Sequence, residues 1–574
     1  MTILEKNIQA LLSGVNEPLG NKLLNFIQNK TCSRFNIDEN LNIYDKTHNV
    51  FMYENLEEEL NFFYQSILEK TPRYPFVCIY GIGNALLIKN LAKHYKHLFV
   101  FESEIELFIL ALSTIDLSEE LKVYKVVLFD CVAKDLEIQI AMIFDQQSIL
   151  EYLSLYEMFI SSHYYLKYYE TSILSLNELC IKSASVAIRN VDITCFLPLL
   201  THGQFLQNIP SMLESIPFQR ILSQRKNKFD NAIVVSAGPS LTKQLPLLKA
   251  YQDKAVIFCA DGALSMLEKE GIVPDYVTNL DFTDLAMKFF QNKENKTSLN
   301  ILSCATHPNV AHSLKAENCM IVLRNKALYQ RFNFNDFGYI DTGTHVSHFS
   351  YTLALALGFK NIIMIGQDLA FDEEGNSHSK GFDFGEKFSG EENIDKLKIP
   401  AYAGKGEVLT HTTWNDYRIK LEYLFACNDQ KAKFYNATEG GARINFTEEL
   451  SFKECCEKLL TKEKPKFELP KSLTKNRSDK LLVKFKEKIQ KDQENAKRFL
   501  DDALALKQIL ENILSKDFIL PLEFLEKVYQ NIENFNHSLD EDEFIQDEVL
   551  RGAFAYRGKL ISDVLKLHIK DETH

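Results

Sequence analysis

The feature that most constrains the fold is a regular alternation of strand and helix patterns between residues 216 and 450. Short apolar runs recur there at helix-length spacing, in NAIVVSAG, AVIFCADG, PDYVTNLD, NILSCAT, NIIMIGQD and AKFYNAT. Strands that alternate with helices pair in parallel and are covered on both faces. Most of these runs end in a polar residue or a glycine, and open parallel sheets bind ligands at the carboxyl ends of their strands. The pattern predicts an α/β domain over 216–450 with its site at that edge.

The flanking patterns predict an α/β multidomain chain, because 574 residues are too many for one core. Residues 1–215 contain the strands FVCIYGIG and HLFVFE around a helical stretch, which predicts a Rossmann-like N-terminal domain whose tract 140–215 is a helical extension. Residues 451–475 are charged and rich in proline, which is typical of a linker. Residues 476–574 show helical periodicity and predict an all-helical C-terminal domain. We interpret that domain as a solvated bundle, with a docking surface for a protein partner as the alternative.

Composition excludes several classes of function. The net charge is −13, from 65 basic and 78 acidic residues, so the chain has no basic excess for binding nucleic acid through its phosphates. The 11 cysteines form no C-x-x-C pair, which favours a reducing compartment. The first residues lack a signal-peptide pattern, and no apolar run approaches the ~18 residues of a membrane span. We therefore expect a cytoplasmic protein with no membrane span. The P-loop, G-x-S-x-G and H-E-x-x-H motifs are absent from the sequence.

A glycine turn follows the first strand of the N-terminal domain. Gly81 and Gly83 precede Glu102 by about twenty residues, which resembles half of a dinucleotide or methyl-donor site. The third glycine of that fingerprint is missing. A Rossmann-like scaffold with an empty site is favoured, and an enzyme centred on this turn is the alternative.

The turn after NAIVV predicts an anion site in the central domain. Gly238 allows a close backbone approach, and Pro239-Ser240 begins a helix whose free N–H groups can hold a phosphate. The next strand ends at Asp261-Gly262. Two neighbouring strand ends of this kind predict a nucleotide pocket, to which Ser236 also belongs.

Two further acidic residues follow in DYVTNLDFTD. Asp281 and Asp284 could chelate a divalent ion or cap a helix that begins at Leu285, and the cap is slightly favoured. No metal is assigned, and a divalent ion stays an open alternative.

The stretch 341–371 predicts a helix start and a strand end at the same site. Thr342-Gly343-Thr344 offers hydroxyls and backbone donors before a helix. The strand NIIMI then delivers Gln367 and Asp368 to the carboxyl edge, where Asp368 can bond a sugar hydroxyl.

The long polar stretch after Asp368 predicts a lid that carries a catalytic base. His378 in NSHSKG and His411 in LTHTTW are the two candidates. Tyr402 or Lys405 in the same stretch could contact a departing phosphate. Glu439-Gly440-Gly441 ends the last strand and offers an acid and a flexible loop at the same edge.

Six of these motifs, in this order, resemble the motility-associated factor (Maf) family of bacterial flagellin glycosyltransferases; they are VVSAGPSL, CADGAL, PDYVTNLD, TGTHVSHFSYTLALALGFKNIIMIGQDLAF, NSHSKG and FYNATEGGARI. The resemblance implies transfer of a nonulosonic acid, pseudaminic or legionaminic acid, from a CMP-activated donor. The implied acceptors are serine or threonine hydroxyls of flagellin in the cytoplasm. It also implies a central domain similar to the metal-independent sialyltransferases, a GT-A-like variant, with no cofactor besides the donor. The nucleotide is then expected at Gly238, Pro239, Ser240 and Asp261, with Thr342 and Gly343 near the cytidine or the sugar.

The sequence departs from the sialyltransferase pattern at two positions. Ala237 and Asp261 stand where those enzymes have asparagines. The Maf-type motif favours His378 as the base, whereas position before the last helix and strand favours His411; we prefer His378. The departure at Ala237 motivates an alternative function, a non-catalytic flagellin-binding or sugar-delivery factor. The oligomeric state is not predicted.

Overall fold

The computed structural model describes residues 2–14, 16–71, 74–150, 152–190, 196–291, 298–388 and 396–514. Contacts divide the described residues into two compact units, 2–190 and 196–514. We call them unit 1 and unit 2. Both mix helices with parallel sheets, which confirms the predicted α/β multidomain class. No helix within the described residues is long and apolar enough to cross a membrane.

Unit 1 is built on a four-stranded parallel sheet. Its helices are α1 (Ile3–Leu12), α2 (Glu17–Asn29), α3 (Leu56–Lys70), α4 (Leu86–Leu91), α5 (Ile105–Thr114), α6 (Ser118–Lys122), α7 (Leu136–Phe144), α8 (Gln147–Leu150), α9 (His163–Tyr168) and α10 (Glu170–Asn190), with a 3-10 turn at Leu153–Leu155. Its strands are β1 (Phe35–Ile37), β2 (Ile43–Asp45), β3 (Val50–Phe51), β4 (Phe76–Tyr80), β5 (His97–Glu102), β6 (Val126–Asp130) and β7 (Met158–Ile160). The first three form a small antiparallel sheet.

The order of the parallel strands in unit 1 is β6-β5-β4-β7. This order is that of the first half of a doubly wound dinucleotide-binding fold, so the Rossmann-like prediction is confirmed. All five residues of β4 are buried, as expected of a strand covered on both faces.

Unit 2 is built on a nine-stranded parallel sheet. Its helices are α11 (Phe196–Glu214), α12 (Phe218–Arg225), α13 (Leu241–Tyr251), α14 (Leu264–Lys269), α15 (Met287–Phe290), α16 (Pro308–Ser313), α17 (Ala327–Gln330), α18 (Val346–Ala356), α19 (Thr412–Ala426), α20 (Phe452–Leu459) and α21 (Lys475–Leu514). Its strands are β8 (Asn231–Val235), β9 (Val256–Ala260), β10 (Tyr276–Asn279), β11 (Leu299–Ser303), β12 (Cys319–Arg324), β13 (Tyr339–Ile340), β14 (Asn361–Ile365), β15 (Lys396–Pro400), β16 (Glu407–His411), β17 (Lys433–Asn436) and β18 (Glu448–Glu449). Short 3-10 turns occur at Gln252–Lys254, Asp261–Ala263, Asp284–Ala286, Ala316–Asn318, Asn335–Phe337 and Tyr402–Gly404.

The sheet of unit 2 has the order β13-β12-β11-β10-β9-β8-β14-β17-β18, and every pair in it is parallel. Strand β8 shows how both faces are covered. Ala232 and Val234 pack in one apolar cluster with residues of α18 and α19, and Ile233 and Val235 pack in another with residues of α13, α14 and α20. Strands β15 and β16 form a separate antiparallel hairpin.

The boundaries of the units differ from the predicted domain boundaries. The predicted helical extension 140–215 contains strand β7, and its last helix, α11, belongs to unit 2 because Phe205 packs with Tyr329 and Phe485. The predicted linker 451–475 also belongs to unit 2, since α20 buries Phe452, Cys455 and Cys456 against the sheet. The predicted C-terminal helical domain is described as far as Leu514, as the single helix α21; residues 515–574 lie outside the described residues.

Candidate functional site

The order of the strands in unit 2 fixes where a ligand can bind. From β8 the chain builds the sheet outward through β9 to β13, and it then returns to place β14 on the other side of β8. The chain after β8 therefore continues toward one side of the sheet, and the chain after β14 continues toward the other side. Such a topological switch point is where open α/β sheets bind their ligands. The two predicted turns, Ser236–Ser240 and Gly366–Asp368, both lie at this point.

These two turns pack directly on each other. The Gly238 N–H donates to the Gly366 carbonyl oxygen at 2.8 Å, and Ser236 Oγ donates to Gln367 Oε1 at 2.9 Å. A Cβ atom on Gly238 would lie 2.1 Å from Asp368 Oδ2 and 2.5 Å from the Gly366 carbonyl oxygen. Position 238 therefore has no room for a side chain, and glycine is required there by the neighbouring turn.

Asp368 occupies the place that was predicted for a phosphate. The Ser240 N–H and Ser240 Oγ both donate to Asp368 Oδ2, at 3.1 and 2.8 Å. The Thr242 N–H donates to Ser379 Oγ at 3.2 Å, and Ser379 Oγ donates to the Gly238 carbonyl oxygen at 2.6 Å. A buried carboxylate of the chain therefore caps this helix start, and the nucleotide site expected at Gly238-Pro239-Ser240 stays a prediction. Burial raises the pKa of Asp368 to about 6, although the bonds from Ser240 act against the rise.

The next two strand ends place an acid beside an amide. Asp261 is 4% exposed; its Oδ1 accepts from the Gly262 N–H at 2.7 Å, and its Oδ2 accepts from Asn279 Nδ2. Burial raises the pKa of Asp261 to about 7. Asn279 Oδ1 is buried and has no hydrogen-bond partner among the described residues. The sequence interpretation missed Asn279, although its position as the last residue of β10 was a signal for it.

Asp281 and Asp284 belong to a turn. Asp281 Oδ1 accepts from the N–H and the Oγ1 of Thr283, at 2.8 and 2.9 Å. Thr283 then precedes the 3-10 turn Asp284–Ala286, so the helical segment begins at Asp284 rather than at Leu285. In the part of the chain that the structure describes, no three His, Cys, Asp or Glu side chains are grouped so as to hold a metal ion.

The segment Thr342–Thr344 leads to two histidines at the start of α18, the half-buried His345 and the buried His348. The imidazole ring of His348 packs against Gly343, which has a φ of +61°. His345 Nδ1 accepts from the His348 N–H at 3.3 Å. His345 Nε2 and both ring nitrogens of His348 are buried without a partner in the described residues. Burial lowers the pKa of both histidines, that of His348 to about 4. The sequence interpretation missed this pair, although two histidines three residues apart lie on one helix face.

The two candidate bases lie beside the same tryptophan. His411 ends β16; it is 2% exposed, and its ring centroid is 4.1 Å from that of Trp414. His378 stacks on Phe382 and lies 6.4 Å from Trp414, and its Nδ1 is 2.9 Å from Ser377 Oγ. Burial lowers the pKa of each histidine to about 4, so both rings are neutral at pH 7, the form that can accept a proton. Both candidate bases therefore lie beside the Trp414 ring, and both stay candidates.

The polar stretch that carries these histidines is packed rather than free. In residues 371–388, Phe382 and Phe384 pack on Phe289, and the Ser379 N–H donates to the Ala237 carbonyl oxygen at 2.9 Å. The described residues from 396 to 411 form the hairpin of β15 and β16. Aromatic side chains within the polar sequence supply a local core for residues 371–388, and the function of the stretch as a lid stays a prediction.

The remaining predicted site residues are Tyr402 and the loop Glu439–Gly441. The Tyr402 hydroxyl donates to the Leu450 carbonyl oxygen at 3.1 Å, and burial raises its pKa to about 12. Glu439 Oε2 accepts from the Phe452 N–H at 3.1 Å. Gly441 packs against the Asp368 backbone, and Gly440 lies beside Ser240. Gly440 and Gly441 therefore contact Asp368, and the expected contact of Tyr402 with a departing phosphate stays a prediction.

The glycine turn of unit 1 is filled by side chains of unit 1. The Gly83 N–H donates to the Tyr165 hydroxyl at 3.1 Å, and that hydroxyl donates to Glu102 Oε2 at 2.6 Å. The Asn84 N–H donates to the Tyr53 hydroxyl at 3.3 Å. The backbone donors that would face a pyrophosphate in a dinucleotide site are thus bonded to tyrosines. The geometry favours the predicted scaffold with an empty site over an enzyme centred on this turn.

Comparisons with known proteins give two similarities. The model of the family described as 6-hydroxymethylpterin diphosphokinase MptE-like matches residues 203–374. The chain is also similar to the solved structure of a MAf glycosyltransferase from Magnetospirillum magneticum AMB-1, with 15% sequence identity, a TM-score of 0.48, and coverage of 99% of this chain and 96% of that one. No curated protein sequence matches the chain.

Proposed function

We propose that this protein is a cytoplasmic glycosyltransferase that transfers a nonulosonic acid from a CMP-activated donor to serine or threonine hydroxyls of flagellin. The proposal needs no cofactor besides the donor. The observation that carries it is a set of buried polar atoms of unit 2 that have no partner among the described residues, namely Asn279 Oδ1, His348 Nδ1 and Nε2, and His411 Nδ1 and Nε2. Each buried polar atom left unpaired costs about 1–3 kcal/mol, so a ligand that pairs with them gains affinity. A sugar nucleotide carries enough hydroxyl and amide groups to pair with these atoms.

The identity of the sugar and of the acceptor rests on the Maf-type motifs. In the proposed reaction, Asp261 and Asn279 hold polar groups of the donor at the carboxyl edge. The bond between the sugar and the CMP phosphate breaks, and the phosphate leaves with the bonding electrons. A neutral histidine, His378 in our preferred assignment, removes the proton from the attacking hydroxyl. Asp368 keeps the two turns of the switch point together through Ser240.

Calorimetric titration of the whole chain with CMP tests the donor site. We expect saturable binding to the wild type and a dissociation constant raised by about tenfold or more in Asn279→Ala, which loses the partner of Asp261. Asn309→Ala makes the same chemical change at an exposed position and should bind CMP like the wild type. Equal affinity of all three proteins would remove Asn279 and Asp261 from the site, and no binding of CMP would contradict the proposal.

A second candidate function is pyrophosphoryl transfer from ATP to a hydroxymethylpterin. The match of the MptE-like family model to residues 203–374 favours it. Incubation with ATP and 6-hydroxymethylpterin, followed by measurement of AMP, tests this function directly. Formation of AMP without any binding of CMP would replace the glycosyltransferase by this enzyme.

A further inference from the structure

Unit 2 contains a cavity of about 460 Å³ at the amino edge of its sheet, away from the edge that carries the candidate site. Its wall includes Val256 and Tyr276, the first residues of β9 and β10, and Phe359, which precedes β14. The segment Lys464–Leu469 lines the other side. This volume is within the range of small-molecule sites. None of the residues assigned above to the candidate site lines the cavity.

Arg225, the last residue of α12, is a buried cation in the wall of this cavity. It is 9% exposed, and its guanidinium carbon lies 5.5 Å from the ring centroid of Tyr276 and 5.2 Å from that of Phe467. Nη1 donates to the Tyr276 hydroxyl at 2.7 Å and Nη2 to the Glu468 carbonyl oxygen at 3.3 Å. Nε is buried and has no partner among the described residues.

The groups bonded to Arg225 are neutral, and no carboxylate of the described residues pairs with its buried guanidinium. Such a charge is unfavourable unless an anion accompanies it. The nearby carboxylate of Asp275 is already engaged, because it pairs with Lys464 at 2.5 Å and accepts from the Ile257 N–H at 2.8 Å. Lys466 adds an exposed cation at the rim, and Asp253 is the other acid of the wall.

The rest of the wall is suited to a ring. Phe229, Phe359, Tyr276 and Phe467 all line the cavity. Aromatic side chains bind planar rings by stacking or edge contacts, and the Arg225 guanidinium already lies near the rings of Tyr276 and Phe467. The cavity thus combines an uncompensated cation with an aromatic wall in a volume that suits a mononucleotide.

We propose that this cavity is a second ligand site, which binds a small aromatic anion of the size of a nucleoside monophosphate. Its acidic group lies against the Arg225 guanidinium and Lys466, and its ring packs on the phenylalanine side chains. The residues of the wall do not select one base over another. The site is independent of the proposed transfer reaction, since the two lie at different edges of the sheet.

Titration calorimetry of the whole chain with AMP tests this site. AMP is chosen because CMP would also report on the proposed donor site. We expect one saturable site for AMP, with weaker binding of adenosine and of inorganic phosphate, each of which supplies half of the recognised chemistry. Arg225→Gln should weaken AMP binding by about tenfold or more. Because Arg225 is buried and that variant could fail to fold, Lys466→Glu at the exposed rim serves as the second variant and should weaken binding in the same direction.

Two controls locate the binding. Lys462→Glu makes the same charge change two residues before the segment Lys464–Leu469, outside the cavity wall, and it should bind AMP like the wild type. Asp261→Asn alters the carboxyl edge and should also leave AMP binding unchanged. The proposal is overturned if AMP does not bind, if Lys466→Glu binds it as tightly as Lys462→Glu does, or if Asp261→Asn abolishes binding.

Discussion

Replacing Gly238 by alanine should destabilise unit 2 strongly, because the added methyl group has no space. The new Cβ would lie 2.1 Å from Asp368 Oδ2 and 2.5 Å from a backbone oxygen of Gly366. The φ of Gly238 is not in the left-handed region, so backbone strain adds nothing to this cost. Overpacking of this kind costs about 1–3 kcal/mol. If Asp368 moves aside, its bonds from Ser240 are lost as well, at about 1.5–3 kcal/mol.

The expected loss for Gly238→Ala is therefore about 2.5–6 kcal/mol, a large part of the ~5–15 kcal/mol that stabilises a typical domain. The assay is urea unfolding followed by tryptophan fluorescence. The sequence contains one tryptophan, Trp414, and it lies in α19, so the signal reports on unit 2. Gly203→Ala in α11 is the matched control, because a Cβ there meets nothing within 4 Å. That control should be stabilised by about 0.5–1 kcal/mol. Equal unfolding midpoints for the two variants would refute the close packing of the two turns.

Three further predictions concern pH, catalysis and unit 1. Burial raises the pKa of Asp261 from 3.8 to about 7. Between these two pH values the folded protein keeps the Asp261 proton and the unfolded chain releases it, so unit 2 loses stability as the pH rises. We expect the stability of Asp261→Asn to rise relative to that of the wild type by roughly 4 kcal/mol between pH 4 and pH 8. The free energies of unfolding are measured by Trp414 fluorescence. A difference between the two proteins that stays constant with pH would refute a buried acid. His378→Ala should lower the rate of sugar transfer by about 100-fold or more with an unchanged circular dichroism spectrum, and a comparable loss confined to His411→Ala would reassign the base. Tyr165→Phe removes the hydroxyl that bonds Gly83 and Glu102, at a cost of about 1–3 kcal/mol, and should speed amide hydrogen exchange in residues 76–104 but not in 231–245. Unchanged exchange in 76–104 would show that the tyrosine does not hold the glycine turn.

The strands were predictable because buried parallel strands are continuous apolar runs. The run NAIVV predicts β8, and all five of its residues are buried. The meeting of the turns after β8 and β14 was also predictable, because parallel strands share one carboxyl edge. The domain boundaries were not predictable from the sequence. The apolar residues of α20 are interspersed with charged ones, and only their packing against the sheet shows that α20 is part of unit 2.

The side-chain partners at the site could not be read from the sequence. Asp368 caps the helix that starts after Ser240, and these residues are 128 positions apart. The same holds for Tyr165 and Gly83, which are 82 positions apart. A glycine turn before a helix predicts an anion site, but the sequence does not show whether the anion is a ligand or a carboxylate of the chain itself. That choice depends on tertiary packing.

The most direct test of the proposed transfer is the intact mass of flagellin after incubation with the purified chain and a CMP-nonulosonic acid. We expect a mass increase of one or more nonulosonate residues, located on serine or threonine, and a strong decrease in Asn279→Ala but not in Asn309→Ala. An unchanged mass of flagellin, with folded protein and intact donor, would contradict the transfer. If CMP still bound under those conditions, the chain would be a binding or delivery factor rather than a transferase.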